Sequence, residues 1–155
     1  MPIQRATAAD AQAISRLVSS LAPAFTLDPA GQGAEGFLHG ISPEAICGYV
    51  EAANFAYFTG RLNDELAGVV ALRDNSHLYH LFVARKFQGQ GLARQLWVHA
   101  RAHAQLTGYV REFTVNSTPI AVPVYEKFGF RATGARVETK GIAYVPMRLE
   151  NTFLP

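Results

Sequence analysis

HLYHLFVARKFQGQGLARQLWVHARAHAQL, residues 77–106, is the stretch whose reading decides the fold. Leu78 to Val83 are apolar or aromatic at nearly every position, which predicts a strand. A short polar turn, Ala84 to Gln88, leads into Gly89-Gln90-Gly91. Beyond it Leu92, Leu96 and Ala100 recur at helical spacing. A glycine-containing turn from strand to helix aims several free backbone N–H groups in one direction, at the positive end of the helix dipole. Such a turn suits a phosphate or pyrophosphate.

Two common phosphate loops fail against these residues. A Walker loop ends in Gly-Lys-Ser/Thr, whereas Gly91 is followed by Leu92 and Ala93. A dinucleotide fingerprint needs a small residue where Arg94 stands and an acidic residue where the next strand ends, at Asn116. At 155 residues, 49% hydrophobic and 17% charged, the chain reads as one soluble domain over 1–155 with a substantial core. A formal charge of +2 with no dense Lys/Arg run argues against nucleic acid as a partner. Arg85, Lys86, Arg94 and Arg101 suit an anionic cofactor better. The single Cys47 leaves no internal disulfide to form. With no charged-then-apolar leader and no apolar run near twenty residues, a cytoplasmic location and no membrane partner are expected.

Ile3 to Ala6 predicts a short first strand, and Thr7 with Asp10 three residues on predicts a helix over Ala8–Leu21 that Pro23 stops. Residues 22–41, rich in Gly and Pro, read as a long irregular segment, and Ser42-Pro43-Glu44 restarts a helix to about Ala52. Phe55–Arg61 and Leu66–Arg73 form a hairpin about Asn63-Asp64-Glu65, and a second turn at Asp74-Asn75-Ser76 feeds the strand from His77. Val110–Asn116 predicts the next strand. A helix follows with Ile120, Val124 and Phe128 at spacing four, delayed or bent by Pro123. Phe130 opens a strand of mixed pattern to about Lys140, and Gly141 turns into Ile142–Leu149, where Pro146 predicts an edge or a bulge. The class is α+β.

Gln88-Gly89-Gln90-Gly91-Leu92-Ala93 resembles the (Arg/Gln)-x-x-Gly-x-(Gly/Ala) acyl-CoA loop of the GNAT superfamily of N-acetyltransferases. Residues 116–130, Asn116-Ser117-Thr118-Pro119-Ile120-Ala121-Val122-Pro123-Val124-Tyr125-Glu126-Lys127-Phe128-Gly129-Phe130, look like that superfamily's second signature, Asn-x-x-Ala-x-x-x-Tyr-x-x-x-Gly-Phe. Two motifs in the right order on the right elements are far more specific than either alone. The resemblance implies a central, mostly antiparallel mixed sheet of about seven strands flanked by helices and splayed between the fourth and fifth. It implies acetyl-CoA as co-substrate and a primary amine on a small molecule, peptide or protein as acceptor. Leu81, Phe82 and Val83 would bind the pantetheine arm through their backbone. Gln88, Gly89, Gln90, Gly91, Leu92, Ala93 and Arg94 would hold the pyrophosphate. Tyr125 matches the general acid for the leaving thiolate. Thr118 departs from the pattern, standing where many members have Asn, and Asn116 would share that contact with the arm.

Direct transfer needs a neutral amine and therefore a base. The positions where some members carry a Glu fall near His77 and at Phe113, beside Glu112, so the usual carboxylates are missing. His77 and His80 are candidate bases because an imidazole titrates near neutrality. Period-two alternation places His77 and Tyr79 on one strand face and His80 on the other. The resemblance places the acceptor pocket in the 22–52 region, where Asp28, Glu35, His39, Glu44 and Glu51 are candidate contacts for a cationic amine. His99 and His103, four apart on the central helix, lack the Glu and third ligand of a zinc site, so no metal is expected. A non-catalytic acyl-CoA-binding domain of the same fold is the alternative to an enzyme. The apolar tail Phe153-Leu154 and the C-terminal strands suggest a homodimer.

Overall fold

The computed structural model describes residues 1–151, so Phe153 and Leu154 and the contact expected of them lie outside the described residues. β1 (Ile3–Arg5) leads through a 3₁₀ turn into α1 (Ala11–Leu21), with the Thr7 amide donating to Asp10 Oδ2 at 2.8 Å. A short α2 (Glu35–His39) lies inside the segment expected to be irregular. α3 (Pro43–Glu51) follows, its first turn capped by Ser42 Oγ accepting from Ala45 N. β2 (Phe55–Leu62), β3 (Glu65–Arg73) and β4 (His77–Val83) form a meander. Asn63-Asp64 and Asp74-Asn75, all at positive φ, supply the left-handed pairs that its tight turns require.

α4 (Leu92–Thr107) then crosses to β5 (Glu112–Ser117). α5 (Val122–Lys127) starts late, after a 3₁₀ turn, because Pro123 belongs in its first turn. The strand expected from Phe130 to Lys140 is two pieces, β6 (Arg131–Ala132) and β7 (Val137–Thr139), both paired with β8 (Ile142–Glu150). Pro146 explains the interruption. Thr133 N donates to Pro146 O at 2.9 Å, but proline returns no N–H on that side, and the chain leaves the sheet until Val137.

The strand order is β1-β2-β3-β4-β5-β8-β6, with β7 also on β8, giving an eight-stranded sheet. Every pair is antiparallel except β4–β5. That parallel pair has only the rungs His77↔Thr114 and Leu78↔Val115, and beyond them the strands diverge. The expected splay is therefore present.

One face of the sheet carries α4, whose Leu92, Leu96, Trp97, Ala100 and Ala104 pack on Phe58, Val70, Leu72, Leu78, Phe113 and Val115. Each such large side chain contributes about 1.5–3 kcal/mol when fully buried. Gly68 permits the approach: a Cβ there would stand 2.8 Å from Leu96 Cδ1. On the other face Ile14, Leu17, Val18 and Leu21 of α1 and Ile46 of α3 cover Tyr57, Val69 and Ala71. The segment between α1 and α2 is tied to the far side of the split by a Thr26↔Ile142 bridge and by Leu27 N donating to Gly141 O at 2.8 Å. Phe25 from that segment packs against Phe82 of β4, with ring centroids 5.8 Å apart.

Candidate active site

The hydrogen-bond register determines which backbone groups line the split. Ala84 N donates to Ala67 O, which makes Gly68↔Val83 a non-hydrogen-bonded pair of β3–β4. Leu81 and Val83 therefore turn their N–H and C=O groups away from β3, towards the gap. Phe82 gives its own to Val69. Of the three residues expected to meet an extended arm, the pairing leaves Leu81 and Val83 to do so. The same reasoning from Asn151 N donating to Arg111 O turns the backbone of Asn116 away from β8 and into the gap. Two diverging strands thus present main-chain donors and acceptors to a space with no strand in it, a ready edge for an extended ligand.

At the mouth of this gap the chain turns through Gly89 (φ 81°) and Gly91 (φ 79°) into α4. Gly91 is the N-cap residue, and no side chain caps the helix. The first N–H groups of a sixteen-residue helix are thereby left open at its positive end. A Cβ at Gly89 or Gly91 would meet nothing within 4 Å, so the space over the loop is clear. Gln88, Gln90 and Arg94 flank the loop, Leu92 anchors it in the core, and Ala93 packs partly against that core. Gln88 Nε2 donates to Val83 O at 2.9 Å, tying loop to strand. Lys86 is engaged with Glu65. Beside Arg94 a cavity of about 270 Å³ opens between α4 and α5, with Arg101 and Lys127 on its wall.

A bulge in β4 corrects the expected facing of His80. β3 pairs Ala71 with His80 and Leu72 with Leu78, so Tyr79 is an extra residue. Strict alternation breaks there, and His80 lies on the same side as Tyr79 and Phe82, with ring centroids at 4.6 and 5.4 Å. The His80 Nδ1 stands 2.8 Å from the Tyr57 hydroxyl, and both residues are buried. Burial holds the Tyr57 phenol well above its usual pKa and pushes His80 down to about 3. A sealed phenol that keeps its proton donates it to Nδ1, so the ring proton of His80 sits on Nε2. His80 is a hydrogen-bond donor there and a poor base.

His77 has a different setting. It is half-buried, its Nδ1 lies 2.7 Å from Thr114 Oγ1, and burial followed by the nearby Arg73 lowers its pKa. It occupies the last-but-one rung before the strands part. Tyr49 of α3 completes the layer, donating to Gly40 O at 2.9 Å and accepting from the Tyr79 hydroxyl at 3.2 Å. Tyr49, Tyr57 and Thr114 were not singled out in the sequence. Their partners lie 30, 23 and 37 residues away, beyond the reach of local pattern.

Tyr125 is buried on α5, its ring edge-on to Phe128 and Phe130, and burial raises its pKa. Its hydroxyl has no hydrogen-bond partner among the described residues, yet the one enclosed orphan there is Thr59 Oγ1. The Tyr125 oxygen therefore reaches accessible surface. Thr118 Oγ1 accepts from Ala121 N at 3.3 Å as a helix cap, while the Asn116 side chain is exposed. The loop carboxylates have local work: Asp28 accepts from Ala30 N and Gln32 N, Glu35 from Gly33 N, and Glu51 from Cys47. His99 and His103 both pack edge-on to the Phe58 ring, at 4.7 and 5.2 Å. Among the described residues no group of three His, Cys, Asp or Glu is placed to hold a metal ion, and no helix is long and apolar enough to cross a membrane.

Similar solved structures include the PaiA N-acetyltransferase of Thermoplasma acidophilum in complex with coenzyme A, at 15% identity and TM-score 0.74 over 97% of this chain and 98% of that one. The ribosomal-protein-S18-alanine N-acetyltransferase of Escherichia coli matches at 19% identity and TM-score 0.71 over 99% and 96%. A GNAT family acetyltransferase of Elizabethkingia anophelis with acetyl-CoA bound matches at 23% and 0.55 over 71% and 84%. At these identities the likeness is one of fold. A comparison with curated protein sequences finds no match. The family model described as "Acetyltransferase (GNAT) domain" matches residues 25–151, and the chain belongs to the GNAT acetyltransferase family.

Proposed function

We propose that this protein is an N-acetyltransferase that moves an acetyl group from acetyl-CoA to a primary amine by direct attack within a ternary complex. The observation that carries the reading is the pairing of an unfilled β-edge with an uncapped helix. Leu81, Val83 and Asn116 offer backbone groups to an extended arm. At the end of that gap the open N–H groups from Gly89 to Arg94 suit a pyrophosphate. Arg94, Arg101 and Lys127 add positive charge alongside. Solved relatives of the same fold are described with CoA or acetyl-CoA bound.

Acetyl-CoA supplies an activated thioester, and the chain supplies position and proton transfer. His77 takes one proton from the acceptor's ammonium and passes it to solvent, leaving a neutral amine to form the C–N bond. As the C–S bond breaks, Tyr125 gives its phenolic proton to the sulfur. The nitrogen loses its second proton to solvent, and the Tyr125 phenolate recovers one from solvent. Burial raises the Tyr125 pKa, so the phenol is protonated at neutral pH and available to hydrogen-bond or protonate the developing thiolate. Tyr79, Tyr49 and the Phe25 segment form the wall on the acceptor's side.

A thiol-release assay over a broad panel of amines, run beside a stoichiometric CoA-binding measurement, tests the reading. Binding with turnover supports it. Binding without turnover on any amine would replace it with a non-catalytic acyl-CoA-binding domain.

A further inference from the structure

Two histidines three residues apart on β4 are held by hydroxyl groups of opposite behaviour. The Tyr57 hydroxyl is sealed and donates to His80 Nδ1. Protonation at Nδ1 would turn that contact into two donors facing each other, inside a site that gives the phenol no second partner among the described residues. Thr114 is partly buried, with Oγ1 2.7 Å from His77 Nδ1, and an alkyl hydroxyl rotates to accept or donate as required. When the His77 ring gains a proton, the Nδ1–H···Oγ1 bond persists and becomes charge-assisted. The backbone fixes this contact, since Thr114 N donates to Ser76 O at 3.0 Å and His77↔Thr114 is one of the two rungs that close the split.

We propose, building on the acetyltransferase reading, that Thr114 is a positioning residue whose hydroxyl accepts from Nδ1–H of His77 in both the neutral and the charged ring, which leaves Nε2 to take the acceptor's proton. The charged and titratable groups around the ring are Arg73 and Asp74 at the end of β3 and Tyr79 on β4 itself. Arg148 of β8 lies opposite Thr114 in register and is occupied by Glu112 and Glu150. Burial and then Arg73 depress the His77 pKa while Asp74 opposes them, which favours the neutral ring. Asp74 pairs with Arg73, and Glu112 and Glu150 with Arg148, so each nearby carboxylate faces an arginine.

The test is the ring ¹⁵N spectrum of uniformly labelled protein, with His77→Gln for assignment, and the pH profile of kcat/KM for wild type, Thr114→Val and Thr114→Ser. The expected wild-type spectrum shows His77 with a pyrrole-type Nδ1 and pyridine-type Nε2, and His80 the reverse. Thr114→Val should mix the His77 tautomers, lower the kcat/KM plateau about three- to tenfold and move its acid limb to lower pH, because the lost bond favours the imidazolium. Thr114→Ser should restore all three. An Nε2–H ring on His77 with turnover intact would overturn this assignment alone, as would a Thr114→Val profile that superimposes on wild type. Absence of turnover with every amine would overturn the acetyltransferase reading as well, and the spectrum shows separately which part failed.

Discussion

The side-chain amide of Gln88 donates to the backbone carbonyl of Val83 across 2.9 Å, so the residue that opens the glycine loop is tied to the last residue of β4. Val83 is one of the two β4 residues whose backbone faces the split. The contact therefore fixes the distance between the open strand edge and the open helix end, the two features a long anionic ligand would bridge.

Gln88→Ala removes that tie without touching the glycines. One lost hydrogen bond of this kind is worth about 0.5–1.5 kcal/mol, so the Kd for CoA should rise about two- to tenfold with little change in Tm. Titration calorimetry on both proteins checks it. A CoA affinity equal to wild type would show that the loop holds its position unaided.

Gly91→Val separates ligand space from protein space. The Cβ would meet nothing within 4 Å, so the only cost to the unliganded chain is a β-branched residue at φ 79°, about 1–3 kcal/mol. The variant should fold with a lowered Tm and bind no CoA. A folded variant that still binds with wild-type affinity would move the pyrophosphate elsewhere.

The buried His80 makes stability depend on pH. Its pKa is pushed from the usual 6.5 to about 3, so between those values the unfolded chain holds a proton that the folded chain does not. Stability is complete above about 6.5 and falls as pH drops towards 3, at most about 1.4 kcal/mol per pH unit for one proton. His77 and His103, also depressed, act in the same direction. Urea unfolding at pH 6.5 and pH 5, where carboxylates are still ionised, should show a smaller loss for His80→Gln than for wild type. Equal losses would mean that His80 gains a proton in the folded state.

Tyr125→Phe removes one hydroxyl and keeps the ring edge-on to Phe128 and Phe130. General-acid catalysis contributes about 10²–10⁴-fold, so kcat should fall by that order while the Kd for acetyl-CoA and the Tm hold. Turnover within threefold of wild type would take Tyr125 out of the proton path.

What the sequence made legible was whatever rests on local chemistry. Leu92, Leu96 and Ala100 repeat with the helix, and Asn63-Asp64 and Asp74-Asn75 mark the tight turns because those residues tolerate positive φ. The loop and the order of the two motifs identified the family. What stayed hidden depends on strand register. The bulge at Tyr79 moves His80 to the other face, and nothing in His77–Val83 marks it. Pro146 was readable as a disruption, but that it would split the neighbouring strand at 133–136 depends on which side of β8 its nitrogen faces. Thr114 is an ordinary strand residue until the sheet sets it beside His77.

The proposed function requires the space between β4 and β5, closed at one end by the Gly89–Arg94 loop, to hold acyl-CoA. Calorimetric titration of the purified wild-type protein with acetyl-CoA, paired with its thermal melt, tests this most directly. Binding should saturate at one site per chain, with a stability gain that grows with ligand to about 2.7 kcal/mol at one hundred times the Kd. A well-folded protein that releases no binding heat and keeps its Tm in millimolar acetyl-CoA would contradict it.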